Sequence, residues 1–169
     1  RLPPFCGPAM RYQIKQRLFS FPTRYDIANE SGEPILEAVR ELSWWPRISI
    51  RTRSGAELAC LRQKVLSWRP RFDVTRDGQP LATVQRRMTL MPYYTVDLAA
   101  GGLLEVRGSF WQLEYQFQQG DRVVAVVSRK MWTLRDTYGV EVLEPEYDAV
   151  VLATVIAIDA LRAQSEHSS

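Results

Sequence analysis

The stretch AVVLATVIAIDAL, residues 149–161, is the most apolar run of the chain and decides how the rest can fold. Thr154 is the only polar residue between positions 149 and 158, so no face of the run can stay in water at low cost. A membrane span needs about 20 apolar residues. This run meets Asp159 and Arg162 before that length is reached. We therefore expect it to be buried on every side in a protein core.

Signals at the two ends of this run favour a helix, with a buried strand as the alternative. Pro145 suits the first turn of a helix, where its missing N–H is not needed. Glu146 and Asp148 suit the positive end of the helix dipole, and Arg162 suits the negative end. Valine and isoleucine would also fit a buried strand. Length and the end signals together predict the helix.

Upstream of this run, the chain alternates apolar and polar residues with the period of two that is typical of half-buried strands. Short turn sequences interrupt the alternation, among them RDG at positions 76–78, where glycine can adopt the positive φ of a tight hairpin turn. About twelve such runs can be counted. They fall at residues 11–15, 25–27, 34–39, 47–51, 57–65, 72–74, 81–85, 93–98, 103–107, 110–117, 123–129 and 138–143.

The run FWQLEYQF, residues 110–117, shows the clearest alternation. It predicts a single strand whose two faces have different chemistry. One face carries Trp111, Leu113, Tyr115 and Phe117, and the other carries Phe110, Gln112, Glu114 and Gln116.

Strand number and helix length together predict one architecture. A closed sheet of about eight strands is filled by its own side chains, whereas a can of about eleven strands encloses a helix. We therefore expect a mainly β fold: an antiparallel closed barrel of about twelve strands around the buried hydrophobic C-terminal α-helix. Such a helix leaves little room in the barrel for a ligand.

An internal repeat supports a sheet built from similar units. QRLFSFPTRYDI, residues 16–27, aligns without a gap on QKVLSWRPRFDV, residues 63–74, and RKMWTLRDTYGV, residues 129–140, is a weaker third copy. Each unit reads as strand, polar corner, strand, in which Ser20 or Ser67 satisfies backbone groups and an aromatic residue anchors the next strand. A functional alternative is that the basic residues of the corners cluster at one rim of the barrel.

Length and composition indicate one domain. The 169 residues contain 22 basic and 19 acidic residues, so the net charge of +3 permits only weak attraction to phosphates or anionic lipid. We assign residues 10–163 to the domain, 164–169 to a polar tail, and 1–9 to an upstream extension or an expression remnant. Prolines stand in 1–9 where a signal peptide needs apolar residues, so a cytoplasmic location is expected.

The sequence offers few groups for catalysis. Cys6 and Cys60 are far apart and lack the spacing of a zinc site or a disulfide framework. The only histidine, His167, lies in the polar tail, so the serines Ser20 and Ser67 and the thiol of Cys60 have no histidine base nearby in sequence. We expect a protein that is not an enzyme and that uses no cofactor and no metal.

Several motifs, in order, resemble the LURP-one-related family. They are IKQRLFSFPTRYDI (14–27), SWWP (43–46), LRQKVLSWRPRFDV (61–74), SRKMWTLRDTYGVEV (128–142) and VLATVIAIDAL (151–161). This family shares the tubby C-terminal fold with tubby and the phospholipid scramblases. The resemblance covers nearly all of residues 10–163 and implies a twelve-stranded closed barrel around a hydrophobic C-terminal helix. A small bacterial member is expected.

The resemblance also implies a class of ligand. Tubby relatives bind phosphoinositides at a basic surface, and scramblases are associated with membranes and calcium. Calcium would need a cluster of oxygen ligands. Near the terminal helix this chain has acidic residues on mixed faces, interrupted by Pro145, which does not favour calcium.

We therefore expect a binding module that docks on anionic phospholipid or phosphoinositide headgroups, peripheral to the membrane. The two tryptophans beside Pro46, Trp44 and Trp45, would contact the membrane interface. Alternation places Arg47, Arg51 and Arg53 on one face of a strand. The predicted anion-binding residues are Arg47, Arg51, Arg53, Lys64, Arg69, Arg71, Arg86 and Arg87.

Other interpretations stay open. The tryptophans could simply pack over a barrel end while the arginines form a solvated face. The domain could be a protein-interaction scaffold that binds no lipid, which is the main functional alternative. A carrier would need an empty barrel, and nucleic-acid binding would need a stronger basic patch, so both rank lower. The sequence leaves the oligomeric state open.

Overall fold

The computed structural model describes residues 8–17, 23–41, 44–64, 68–131 and 137–167. Within them the chain forms twelve strands, two 3₁₀ turns and one helix, α1 (Asp148–His167). The strands are β1 (Met10–Arg17), β2 (Arg24–Asn29), β3 (Pro34–Glu41), β4 (Arg47–Thr52), β5 (Glu57–Gln63), β6 (Arg71–Arg76), β7 (Gln79–Arg87), β8 (Tyr93–Leu98), β9 (Leu103–Ser109), β10 (Glu114–Gln119), β11 (Arg122–Ser128) and β12 (Thr137–Val142).

The strands form a closed antiparallel barrel in which each strand pairs with its neighbours in sequence. Pairing of β1 with β12 closes the ring, with Tyr12 opposite Val140 and Ile14 opposite Tyr138. Closure leaves no strand of the ring with an unpaired edge, which removes the template for edge-to-edge aggregation. The predicted twelve-stranded closed barrel is confirmed.

Helix α1 lies inside this ring, as the apolar run predicts. A 3₁₀ turn at Pro145–Tyr147 leads into it, so Pro145 does open the helical segment. All side chains of residues 151–157 are 0% exposed, and the hydroxyl of Thr154 donates to the carbonyl of Val150 at 2.7 Å. The only polar side chain between positions 149 and 158 is therefore satisfied within the helix. No helix among the described residues is long and apolar enough to span a bilayer.

The helix is longer than the apolar run that predicts it. It continues to His167, six positions beyond the end of the run at Leu161. Positions 164–167 of the predicted polar tail are therefore helical. Near this end, Gln164 exchanges hydrogen bonds with Gln63 of β5 at 3.2 and 3.5 Å, which ties the helix to the wall.

The prediction of one strand over residues 110–117 is wrong for its first half. Residues 110–113 form a turn, and β10 begins at Glu114. Leu113 has a φ of 56°, which a strand residue cannot have, and it reaches the core from that turn. Trp111 is exposed and does not share the core face with Tyr115. The apolar–polar alternation of the sequence continues through the turn, because Leu113 is buried like a strand residue although it precedes β10.

Two predictions about turns have different outcomes. The predicted RDG hairpin is confirmed, with Asp77 at φ 48° and Gly78 at φ 78° as a tight two-residue turn requires. The placement of Arg53 in a strand is wrong, because β4 ends at Thr52 and Arg53 lies in the following turn.

Within the described residues, the sequence repeat corresponds to a repeated packing arrangement. Its three aromatic anchors, Tyr25, Phe72 and Tyr138, are all buried near the start of β2, β6 and β12. The corner residues Ser20 and Ser67 lie outside the described residues.

Candidate functional site: the aromatic end of the barrel

In an up-and-down barrel, successive connections lie alternately at the two ends. The two ends of this barrel differ in composition. Connections that follow odd-numbered strands share one end, here named the aromatic end. Connections that follow even-numbered strands share the opposite end, here named the acidic end. Helix α1 enters at the acidic end after β12 and finishes at the aromatic end, beside the end of β5.

Charge separates between the ends. In the described connections of the aromatic end, four residues are basic and none is acidic. The connections of the acidic end carry six acidic residues and one basic residue, Arg53. The four basic residues are Lys64, Arg69, Arg129 and Lys130, and the six acidic residues are Glu30, Glu33, Asp77, Asp121, Glu144 and Glu146.

Exposed apolar side chains also concentrate at the aromatic end. Of the ten large hydrophobic side chains exposed among the described residues, seven lie in its connections. Trp44 is 99% exposed and Trp68 is 95% exposed, so neither ring packs on the fold. Scattered exposed hydrophobics are ordinary, but a group of them at one end of a molecule indicates a contact surface. The seven are Trp44, Trp45, Trp68, Met88, Leu90, Met91 and Trp111.

The predicted anion-binding residues divide between the two ends. Six lie in connections or strand ends at the aromatic end, whereas Arg51 lies farther along β4 and Arg53 is at the acidic end. The structure therefore does not bring all eight together. The six at the aromatic end are Arg47, Lys64, Arg69, Arg71, Arg86 and Arg87.

Ion pairs occupy several of these cations. Glu41 accepts from Arg51 at 3.0 Å and lies 3.5 Å from Arg47. Asp73 pairs with both Arg71 at 3.1 Å and Lys64 at 3.4 Å. Such half-exposed pairs add little stability, but they reduce the charge available to a ligand.

The remaining predicted cations differ in their surroundings. Arg87 donates to the hydroxyl of Thr95 at 3.1 Å. Among the described residues, the side chain of Arg69 makes no ion pair, and that of Arg53 makes only a 3.5 Å contact to the carbonyl of Pro34. The side chain of Arg86 lines a cleft and its Nε is buried.

That cleft, here named the end cleft, opens at the aromatic end and has a volume of about 620 Å³. Its walls come from the connections that follow β7 and β9, and its floor comes from Ile158 and Leu161 of α1. Phe110 forms part of one wall and packs edge-on against Tyr94, with 4.9 Å between ring centroids. The turn that interrupts the predicted strand therefore builds this cleft.

Polar groups are buried beside the end of α1. Asp159 is 1% exposed, and its Oδ1 accepts from Arg162 at 2.9 Å. Burial and then the negative charge of Asp159 raise the pKa of the phenols of Tyr25, Tyr115 and Tyr138. Burial therefore favours the neutral form of these phenols.

Loss of stability at alkaline pH is expected from these phenols. Their folded pKa lies above the unfolded value of 10.0, so their contribution is fully present below pH 10 and decreases as the pH rises further. Each buried phenol should remove about 1.4 kcal/mol per pH unit from the free energy of unfolding in that range. The part of the phenolate absorbance that comes from these buried tyrosines should rise together with the loss of the circular-dichroism signal. Ionisation of all tyrosines near pH 10 in a folded protein would contradict this.

The sequence indicates Trp44 and Trp45 as contact residues, but Trp68, Leu90, Met91 and Trp111 become candidates only in the structure. The sequence does contain a signal for these residues. Connections that follow odd-numbered strands are rich in aromatic residues, and connections that follow even-numbered strands are rich in acidic residues. That sorting requires the correct number of strands, and the run at 110–117 conceals one turn.

Comparison with known proteins agrees with the architecture. The family model described as LURP-one-related matches residues 10–159. The chain belongs to the LURP-one-related family. This LURP-one-related chain is 25% identical over 158 residues to the Bacillus subtilis protein named uncharacterized protein YxjI, covering 92% of this chain and 96% of that one. An X-ray structure of an Arabidopsis thaliana protein has the same fold, with a TM-score of 0.67 at 20% identity, covering 92% and 94% of the two chains.

Proposed function

We propose that this LURP-one-related domain is a non-enzymatic module that docks on the surface of membranes containing anionic phospholipid. The contact surface in this proposal is the aromatic end. The observation that carries it is the coincidence of seven exposed apolar side chains with connections that are basic and free of acidic residues in their described part. The acidic end would then face away from the membrane.

Two physical effects support this orientation. Tryptophan favours the interface between headgroups and hydrocarbon, because its ring is amphipathic. Each Lys or Arg near an anionic surface contributes about 1 kcal/mol. Trp68 directly precedes Arg69 in the β5–β6 connection, and Trp44 lies in the β3–β4 connection at the same end, so both effects act at one end of the barrel. The six acidic residues at the opposite end would be repelled by the same surface.

Vesicle binding tests this proposal. The protein should co-sediment with vesicles of phosphatidylcholine and phosphatidylserine, and the Trp44→Ser, Trp68→Ser double variant should bind at least about tenfold more weakly. Both rings are almost fully exposed, so the variant should fold normally. Added salt should weaken the binding, because surface charges more than about 3 Å apart are screened at 1 M salt.

Matched variants at the acidic end provide the control. Leu103→Ser with Leu143→Ser removes two exposed apolar side chains from that end, and Arg53→Glu reverses a charge there. Vesicle binding should persist in both, whereas Arg69→Glu should reduce it. Equal binding to pure phosphatidylcholine, or an equal loss in the acidic-end variants, would reject the proposal.

The protein-interaction scaffold is the second candidate, because an exposed aromatic group also suits a protein interface. Light scattering would favour it if the protein forms a stoichiometric complex or dimer and ignores vesicles. Trp68→Ser should then weaken that assembly.

A further inference from the structure

The end cleft has the size and the lining of a ligand site. Its volume of about 620 Å³ lies within the range of small-molecule pockets, about 300–1,000 Å³. Most of its lining is apolar, with Leu90, Met91 and Trp111 in the walls and Ile158 with Leu161 in the floor. A hydrocarbon chain placed there would be removed from water on several sides.

The charged groups of the cleft leave one cation without an anion. Arg107 pairs with Glu105 at 2.7 Å and stacks on Tyr93 at 4.0 Å from the ring centroid. Arg162 pairs with Asp159 at 2.9 Å. Arg86 has no acidic partner among the described residues, and no carboxylate lines the described part of the cleft.

Two buried hydrogen-bond donor atoms also favour an anion in the cleft. The Nε atoms of Arg86 and Arg162 are both buried and have no hydrogen-bond acceptor in the described part of the chain. Buried donors without an acceptor are costly, typically by about 1–3 kcal/mol each. A bound anion would remove that cost where it reaches them.

We propose that the end cleft binds a single-chain amphiphilic anion, a fatty carboxylate. Its carboxylate pairs with Arg86, and its chain packs between the β7–β8 and β9–β10 connections on the floor formed by α1. One unpaired cation selects one negative charge, and the apolar walls select the chain. This goes beyond membrane docking, because a free monomer enters the cleft without any membrane surface.

Calorimetric titration of the full chain with dodecanoate, below the concentration at which it forms micelles, tests this. We expect saturable binding at one site. Dodecyltrimethylammonium, with the same chain and the opposite charge, should bind at least about tenfold more weakly. Butanoate should also bind weakly, because it lacks the chain. Equal affinity for the two dodecyl ions, or the absence of saturable dodecanoate binding, would overturn the proposal.

Two variants locate the site. Arg86→Gln should weaken dodecanoate binding at least about tenfold, and Met91→Asp should weaken it through charge repulsion in the wall. Met91 is exposed, so its replacement should leave the fold intact by circular dichroism. Arg69→Gln, at the same end but outside the cleft, is the control and should bind normally. Unchanged binding by both cleft variants would reject the site.

The outcome is separable from that of membrane docking. Saturable dodecanoate binding by a wild-type protein that does not bind anionic vesicles would support the cleft and reject docking. Vesicle binding without dodecanoate binding would do the reverse.

Discussion

Ile156→Asp should leave the protein unfolded at neutral pH. Ile156 lies in the centre of α1 and is 0% exposed, with the barrel wall on every side. Burying an unpaired carboxylate costs several kcal/mol, and the lost isoleucine removes about 1.5–3 kcal/mol of burial. Their sum is comparable to the whole stability of a typical domain, about 5–15 kcal/mol. Circular dichroism and denaturant titration should show loss of the cooperative transition.

Two comparison variants separate burial from the chemistry of the substitution. Ile156→Val keeps the apolar surface and should cost about 0.5–1.5 kcal/mol. Gln116→Asp introduces the same carboxylate on the outer face of β10, opposite Arg107, and should change stability by less than about 1 kcal/mol. If Ile156→Asp were as stable as Gln116→Asp, α1 would not be the buried axis of the barrel.

The interior of this fold could be predicted because it has simple rules. Burial on all sides requires residues 149–158 to be apolar without a period, and a half-buried strand requires the period of two seen at Ile48 and Ile50. Counting such runs gives the strand number, and the strand number determines whether a helix fits inside. Each step uses only local sequence and burial.

The surface could be predicted less well, because it depends on neighbours distant in sequence. Arg51 looks like an available cation until β3 places Glu41 within 3.0 Å of it. Arg86 is one of two adjacent arginines in the sequence, yet it lines a cleft built partly by residues 109–111 and by the end of α1. Pairing, tilt and connection geometry decide which charges remain available, and these are properties of the closed barrel.

Gly108→Ala should destabilise the domain strongly, although it adds a single methyl group. Gly108 has a φ of +140°, and a Cβ there would lie 2.5 Å from the carbonyl oxygen of Glu114 and 2.6 Å from the Cα of Tyr115. Both are backbone atoms of β10, so a rotamer change cannot relieve the clash. Backbone strain of about 1–3 kcal/mol and overpacking of about 1–3 kcal/mol act together. The free energy of unfolding should fall by about 2–6 kcal/mol.

Gly120→Ala tests whether the close approach of the strands causes this loss. Gly120 has a φ of +60° but nothing within 4 Å of the added Cβ, so only the backbone preference is lost, about 1–2 kcal/mol. Gly108→Ala should also weaken dodecanoate binding, because Gly108 lines the end cleft and its partner Tyr115 packs on Phe110 at 5.1 Å. Denaturant titration of both variants measures the first effect and calorimetry the second. Equal losses of stability would mean that β9 and β10 separate at Gly108 without cost, and the walls of the cleft would then not be fixed by their pairing.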